Sequence, residues 1–217
     1  MLVTAAISLT FLEFHANRAA FGLPGAGVQP DFDALATWSL WCFAAYFGLP
    51  AIVIVAVFRQ SLREYGLDFR GFVRHLPLYF GLLLLAAPVV AFAAWQPELA
   101  RFYPFDPEAK EGLAKLVRWQ LVYGLQFFAL EFFFRGFLLF ALEPRLGLSS
   151  VFVMVVPYCM IHYRKSWPES IAAVIGGAIL GYVTLRTRSV LGGVLIHWGI
   201  AITMDVCAIL ARGGFGA

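Results

Sequence analysis

Long apolar runs separated by short polar connections dominate this chain. Six apolar segments stand out, at about 36–58, 75–95, 116–142, 149–163, 168–186 and 190–211. A helix needs roughly 20 apolar residues to cross a hydrocarbon core of ~30 Å. By that measure segment 149–163 is short, reaching across only where the membrane is thinned or partly aqueous. Segment 116–142 is long, so it tilts or projects. The first dozen residues, ending at Leu12, make a weaker seventh candidate, either a short span or a helix lying at the interface. The runs lack the polar–apolar alternation of barrel strands, which argues against a transmembrane β-barrel. Backbone in hydrocarbon must satisfy its own hydrogen bonds. The pattern therefore predicts an all-α fold, a polytopic transmembrane helical bundle of roughly six to eight helices.

Composition sharpens the picture. Apolar residues make up 61% of the 217 and charged residues 13%, too little polar surface for a soluble domain. Net charge is only +3 and no basic run is long or clustered, so nucleic acid is not an expected partner; the lipid bilayer is. Cys42, Cys159 and Cys207 lie scattered in apolar runs, as free thiols rather than a disulfide framework. The N-terminus lacks a positive n-region, so no signal peptide is read there. Connection 15–35 is polar and glycine-rich, and connection 96–115 carries the cluster Phe102, Tyr103, Pro104, Phe105, as a loop resting on the interface would. No internal repeat breaks the chain, so residues 1–217 read as one integral membrane domain. If segments alternate, loops 59–74, 143–148 and 186–189 share one side. Positive charge divides almost evenly between the two sides, with Arg18, Arg101 and Arg164 among those opposite. Weighting the short loops leans towards a cytoplasmic 59–74. A bacterial plasma membrane is the expected location.

Ionisable groups at membrane depth are expensive, at least ~2.5–3.5 kcal/mol each at the bilayer centre. Five fall inside the later segments: Glu131, Arg135, His162, His197 and Asp205. Glu131 and Arg135 are four apart, on one helix face. His197 and Asp205 are eight apart, about two turns on roughly one side. Each group alone has a bland reading, as a neutralising pair or an interior hydrogen bond. Together, on otherwise apolar segments, they are expected to converge on an intramembrane polar cavity in the C-terminal half. Two chemistries fit it. A carboxylate and a histidine polarise a water that attacks a peptide carbonyl, a second histidine donates to the oxyanion, and Arg135 keeps the carboxylate ionised. Alternatively, histidines and carboxylates bind zinc, although no H-E-x-x-H spacing stands behind a metal. No cofactor is expected. Cys159, three residues before His162, is a weaker nucleophile candidate.

The order of these residues resembles the CPBP family, which comprises CAAX prenyl endopeptidases of the Ras-converting type and Abi-like proteins. The family pattern is Glu-Glu-x-x-x-Arg, Phe-x-x-x-His and His-x-x-x-Asn. This chain has Leu130, Glu131 and Arg135, then Tyr158 and His162, then His197 and Ala201, within a motif-bearing core of about 116–211. The resemblance implies a glutamate-type intramembrane endopeptidase. In such enzymes the first Glu and the second-motif His activate water, the third-motif His and Asn stabilise the oxyanion, and the second Glu and the Arg support the site. It thus implies His162 in water activation, His197 at the oxyanion, and Glu131 with Arg135 in support. Leu130 and Ala201 depart from the pattern, and Tyr158 does so mildly. In one reading the site is rewired. Glu131 then becomes the base after a modest helix rotation, and Asp205 backs His197, giving a catalytic set of Glu131, His162 and His197. Its substrate is a membrane-anchored protein or peptide. In another the chain is a non-catalytic binding or regulatory relative. A proton- or metal-coupled transporter is a third, against which the ionisable set is confined to one half of the chain.

Overall fold

The computed structural model describes residues 1–16, 30–100, 102–163 and 165–216, the side chains of Glu98 and Ala100 excepted. Most of connection 15–35, and with it Arg18, lies outside the described residues, as do Arg101 and Arg164. Helices α1 (Leu2–His15), α2 (Phe32–Val57), α3 (Leu76–Ala94), α4 (Leu113–Leu146), α5 (Ser149–Met160), α6 (Trp167–Thr187) and α7 (Leu191–Ala211) carry the fold. No strand occurs among the described residues. Helices α2, α3, α4, α6 and α7 are long and apolar enough to cross a membrane. The protein is an all-helical integral membrane bundle.

Burial sorts the helices. The most apolar window of α4 is 78% buried and that of α3 only 6%. So α4 is the central post, while α3 turns Leu84, Leu85, Val89 and Phe92 outward where lipid would solvate them. Around α4 pack α2 on one side and α7 on another, with α3 against α7 and α5 against α6. The aromatic run of α4 is buried on all sides, with Phe132, Phe133, Phe134 and Phe137 fully covered. There the helix widens to a π turn over Phe132–Leu138, the kind of local bulge often found at functional sites. At 34 residues, α4 is about 51 Å long, longer than a ~30 Å hydrocarbon core.

Some expectations are refined. Helix α1 is short and docks along the bundle, with Ser8 Oγ donating to Ala45 O at 2.7 Å. Tyr103 and Phe105 do not rest on an interface. They stack at 5.0 Å and are buried in the protein, because the loop folds over the end of α4 through a 3-10 turn at Pro107–Glu111. The predicted pairing of loops holds. Val190 N donates to Gly66 O at 2.9 Å, Ser189 Oγ to Asp68 O at 2.9 Å, and Arg188 grips Glu143 bidentately at 2.5 Å. The connections around 59–74, 143–148 and 186–189 therefore form one end of the bundle. At the opposite end Gly216 N donates to Lys110 O, and Arg118 lies 3.8 Å over the Phe32 ring.

Candidate functional site

Helix α5 has 12 residues, about 18 Å of rise, well short of a ~30 Å core. It ends at Met160, and His162 follows in the turn that closes it. The short helix thus delivers His162 below the far end of the bundle. The His162 ring stays close to its own backbone, with Nδ1 2.9 Å from Tyr158 O. A carbonyl only accepts, so Nδ1 carries the proton and the neutral ring keeps its lone pair on Nε2.

His197 comes from α7 and meets α4. Its Nδ1 lies 2.8 Å from Glu131 Oε1, and the same oxygen accepts from Arg135 Nη1 at 3.1 Å. Glu131 and Arg135 are fully buried. Arg135 also lays its guanidinium 3.9 Å from the centroid of the Tyr158 ring, a cation–π contact strengthened by desolvation. Tyr158 links both histidines, its ring centroid lying 4.9 Å from that of His162 and 6.4 Å from that of His197. Phe127 closes on His197 from the other side at 4.6 Å. Close approach of α7 to α4 depends on glycine: a Cβ at Gly193 would collide with Glu131 Oε2. Gly177 and Gly181 likewise let α6 settle on Tyr158 and Met154, whereas Gly176 faces open space.

His162, His197 and Phe127 border a cavity of about 130 Å³, room for a few water molecules. His162, His197, Leu130, Gln126 and Tyr123 line it from the C-terminal half, with Lys165 and Phe105 also on its wall. The N-terminal helices complete it, through Leu9, Leu12 and Glu13 of α1, Ala16 just after it, and Trp38, Cys42 and Tyr46 of α2. The signals in the sequence for that wall are helical spacings, i, i+3, i+4, i+7 for Leu9, Leu12, Glu13 and Ala16 and every fourth residue for Trp38, Cys42 and Tyr46. Lys165 is held beside the cavity by Tyr103 at 3.2 Å and Glu169 at 3.3 Å, while Tyr103 Oη donates to Glu169 at 2.5 Å.

Two site expectations are not met by this geometry. Helix α4 has not rotated: Leu130 lines the cavity, whereas Glu131 points between helices at Arg135, His197 and Gly193. Asp205 does not back His197. Eight residues is about 12 Å along a helix, and Asp205 Oδ2 accepts instead from Trp119 Nε1 at 2.9 Å and Gln120 Nε2 at 2.7 Å. Gln120 in turn accepts from Trp198 Nε1 at 3.2 Å. That buried network staples α7 to α4 below the site. Glu131 thus bonds one imidazole, His197, while His162 reaches the same cavity from α5. Among the described residues, no three His, Cys, Asp or Glu side chains come together so as to hold a metal ion.

The architecture defines a polytopic helical membrane protein in which two imidazoles line a partly open cavity, with a carboxylate and a guanidinium buried behind one of them. Residues 112–203 match the family model described as type II CAAX prenyl endopeptidase Rce1-like. The resemblance carried by the three motifs therefore stands, and at family level the chain is similar to CPBP-type intramembrane proteases. No curated protein and no solved structure matches the chain.

Proposed function

We propose that the protein is an intramembrane endopeptidase that hydrolyses a peptide bond of a membrane-associated protein or peptide. The observation that carries this reading is the 2.8 Å bond between Glu131 and His197 at the cavity edge. A carboxylate on Nδ1 fixes the tautomer and leaves Nε2 as a base. In the proposed reaction a water in the cavity attacks the substrate carbonyl carbon and passes its proton to His197 Nε2. The carbonyl π electrons move to oxygen. The tetrahedral intermediate then collapses, the C–N bond breaks, and the imidazolium proton goes to the leaving amine. His162 holds the water from the α5 side. Glu131 touches the reaction only through His197, so it is a positioning residue, with Arg135 fixing it in turn. The family match supports the reaction class, and a CAAX-like membrane-anchored substrate is the first to test.

The assay is cleavage of an internally quenched farnesylated CAAX peptide by the protein in proteoliposomes. Wild type is expected to cleave it. His197→Ala and His162→Ala are each expected to lose about 10²–10⁴-fold in kcat, the usual worth of a positioned acid–base group. Undiminished cleavage by both variants overturns the site. The second reading is a non-catalytic relative, favoured by the hydrocarbon side chain of Leu130 on the cavity wall. Failure of wild type to cleave the peptide is its expected signature.

A further inference from the structure

The face of α4 that lines the cavity includes Gln126, four residues before Leu130 and so on the same side of the helix. Gln126 is only 7% exposed. Its Oε1 is buried and accepts no hydrogen bond from the described residues. Buried polar groups are nearly always paired, and leaving one unmade is costly. With the oxygen sealed in, the amide nitrogen is the end of this carboxamide that can meet an occupant of the cavity. The rest of the cavity says which kind. Both imidazoles have Nδ1 committed to protein acceptors, so a neutral ring has no second N–H to donate. Lys165, the cation on the wall, is already engaged with Tyr103 and Glu169. A carboxamide has an N–H₂ donor as well as a carbonyl acceptor, and its terminal torsion is soft.

We infer that Gln126 is a further catalytic residue: its side-chain amide nitrogen donates to the oxyanion of the tetrahedral intermediate. The inference rests on the hydrolytic reading above and names the group that stabilises the charge which that chemistry creates. Ala201, one turn beyond His197, has no polar group to offer in this role.

The test is the same farnesylated peptide in proteoliposomes, with Gln126→Met and Gln126→Glu. Methionine keeps the length and removes both polar atoms. Glutamate keeps the shape and is an acceptor only. Removing one oxyanion donor typically costs about 10²–10³ in kcat, and both variants are expected to show that loss with KM within about threefold of wild type. Gln126→Met is also expected to raise the thermal midpoint, because it removes an unpaired buried acceptor. A residue that merely supports the fold would move the other way, with stability and activity falling together; that result overturns the inference. So does kcat retained within about threefold in Gln126→Met while His197→Ala is inactive, which leaves the hydrolytic reading standing. Absence of cleavage by wild type removes both.

Discussion

Neutralising one partner of the Glu131–Arg135 pair is expected to cost more than neutralising both. The two side chains are fully buried and 3.1 Å apart. At an effective dielectric of 20 their attraction is about 5 kcal/mol. Glu131→Gln removes the anion and leaves a guanidinium facing the Tyr158 ring at 3.9 Å, a contact worth ~2 kcal/mol when desolvated. An uncompensated buried charge then costs about 3–5 kcal/mol. For a chain of this length that is a fall of roughly 6–20 °C in thermal midpoint. Arg135→Met leaves the converse orphan, an anion without its cation. The double variant loses the attraction but also both desolvation penalties, so it is expected to be more stable than either single variant. The measurement is unfolding of the purified protein in one detergent, followed by tryptophan fluorescence, over the four members of the cycle. Losses that simply add would refute the claim that the two charges are buried against each other.

Gly193→Ala places a methyl group against Glu131 Oε2, and only the carboxylate can yield; losing its charge-assisted bond to His197, worth ~1.5–3 kcal/mol, should lower kcat on the farnesylated peptide about 10- to 150-fold, with Gly176→Ala as the unaffected control. Leu130→Glu puts a carboxylate on the cavity wall between the histidine-bearing elements. If water activation limits the rate, kcat should rise by an order of magnitude or more, and an unchanged rate would show that the cavity does not lack a base. Asp106 is fully buried in the loop before α4. Burial raises its carboxyl above the usual range, more than the Glu108 backbone N–H and Arg118 pull it down. Folding therefore favours the neutral form, so its contribution is present below the unfolded value and lost as pH rises through the folded one. Asp106→Asn, which keeps the cap to Glu108 N, should raise the thermal midpoint at neutral pH and not at strongly acidic pH; a gain at acidic pH alone would contradict the sign.

The spans were legible because membrane helices are written in plain hydropathy: α2, α3, α4, α6 and α7 fall within a few residues of the apolar runs. The pairing of Glu131 with Arg135 followed from their spacing. The bond from His197 to Glu131 did not, since it joins residues 66 apart and only the bundle brings them together. Asp205 misled for the same reason. Its place on α7 was readable, but its true partners are Trp119 and Gln120, which look like ordinary members of an apolar segment until α7 docks beside them. Gln126 was overlooked because a lone glutamine among aromatics has no charge to draw attention. Its meaning comes from a fold that seals its oxygen and leaves its amide nitrogen to the cavity.

The helical phase of α4 explains why leucine at 130 is not repaired by the glutamate beside it. Successive residues are about 100° apart around a helix, so Leu130 and Glu131 cannot both face the cavity. Turning α4 far enough to bring Glu131 round would lift Arg135 off Tyr158 and break the bond to His197. It would also rotate Phe132, Phe133, Phe134 and Phe137, all fully buried, out of packed positions, forfeiting close helix–helix packing that lipid does not reproduce. One carboxylate could not repay that. A polar group already on the cavity face, one turn away at Gln126, requires no rotation at all. The packing that fixes Glu131 as a support for His197 is thus the same packing that confines any compensating polar group on α4 to the Gln126–Leu130 stripe.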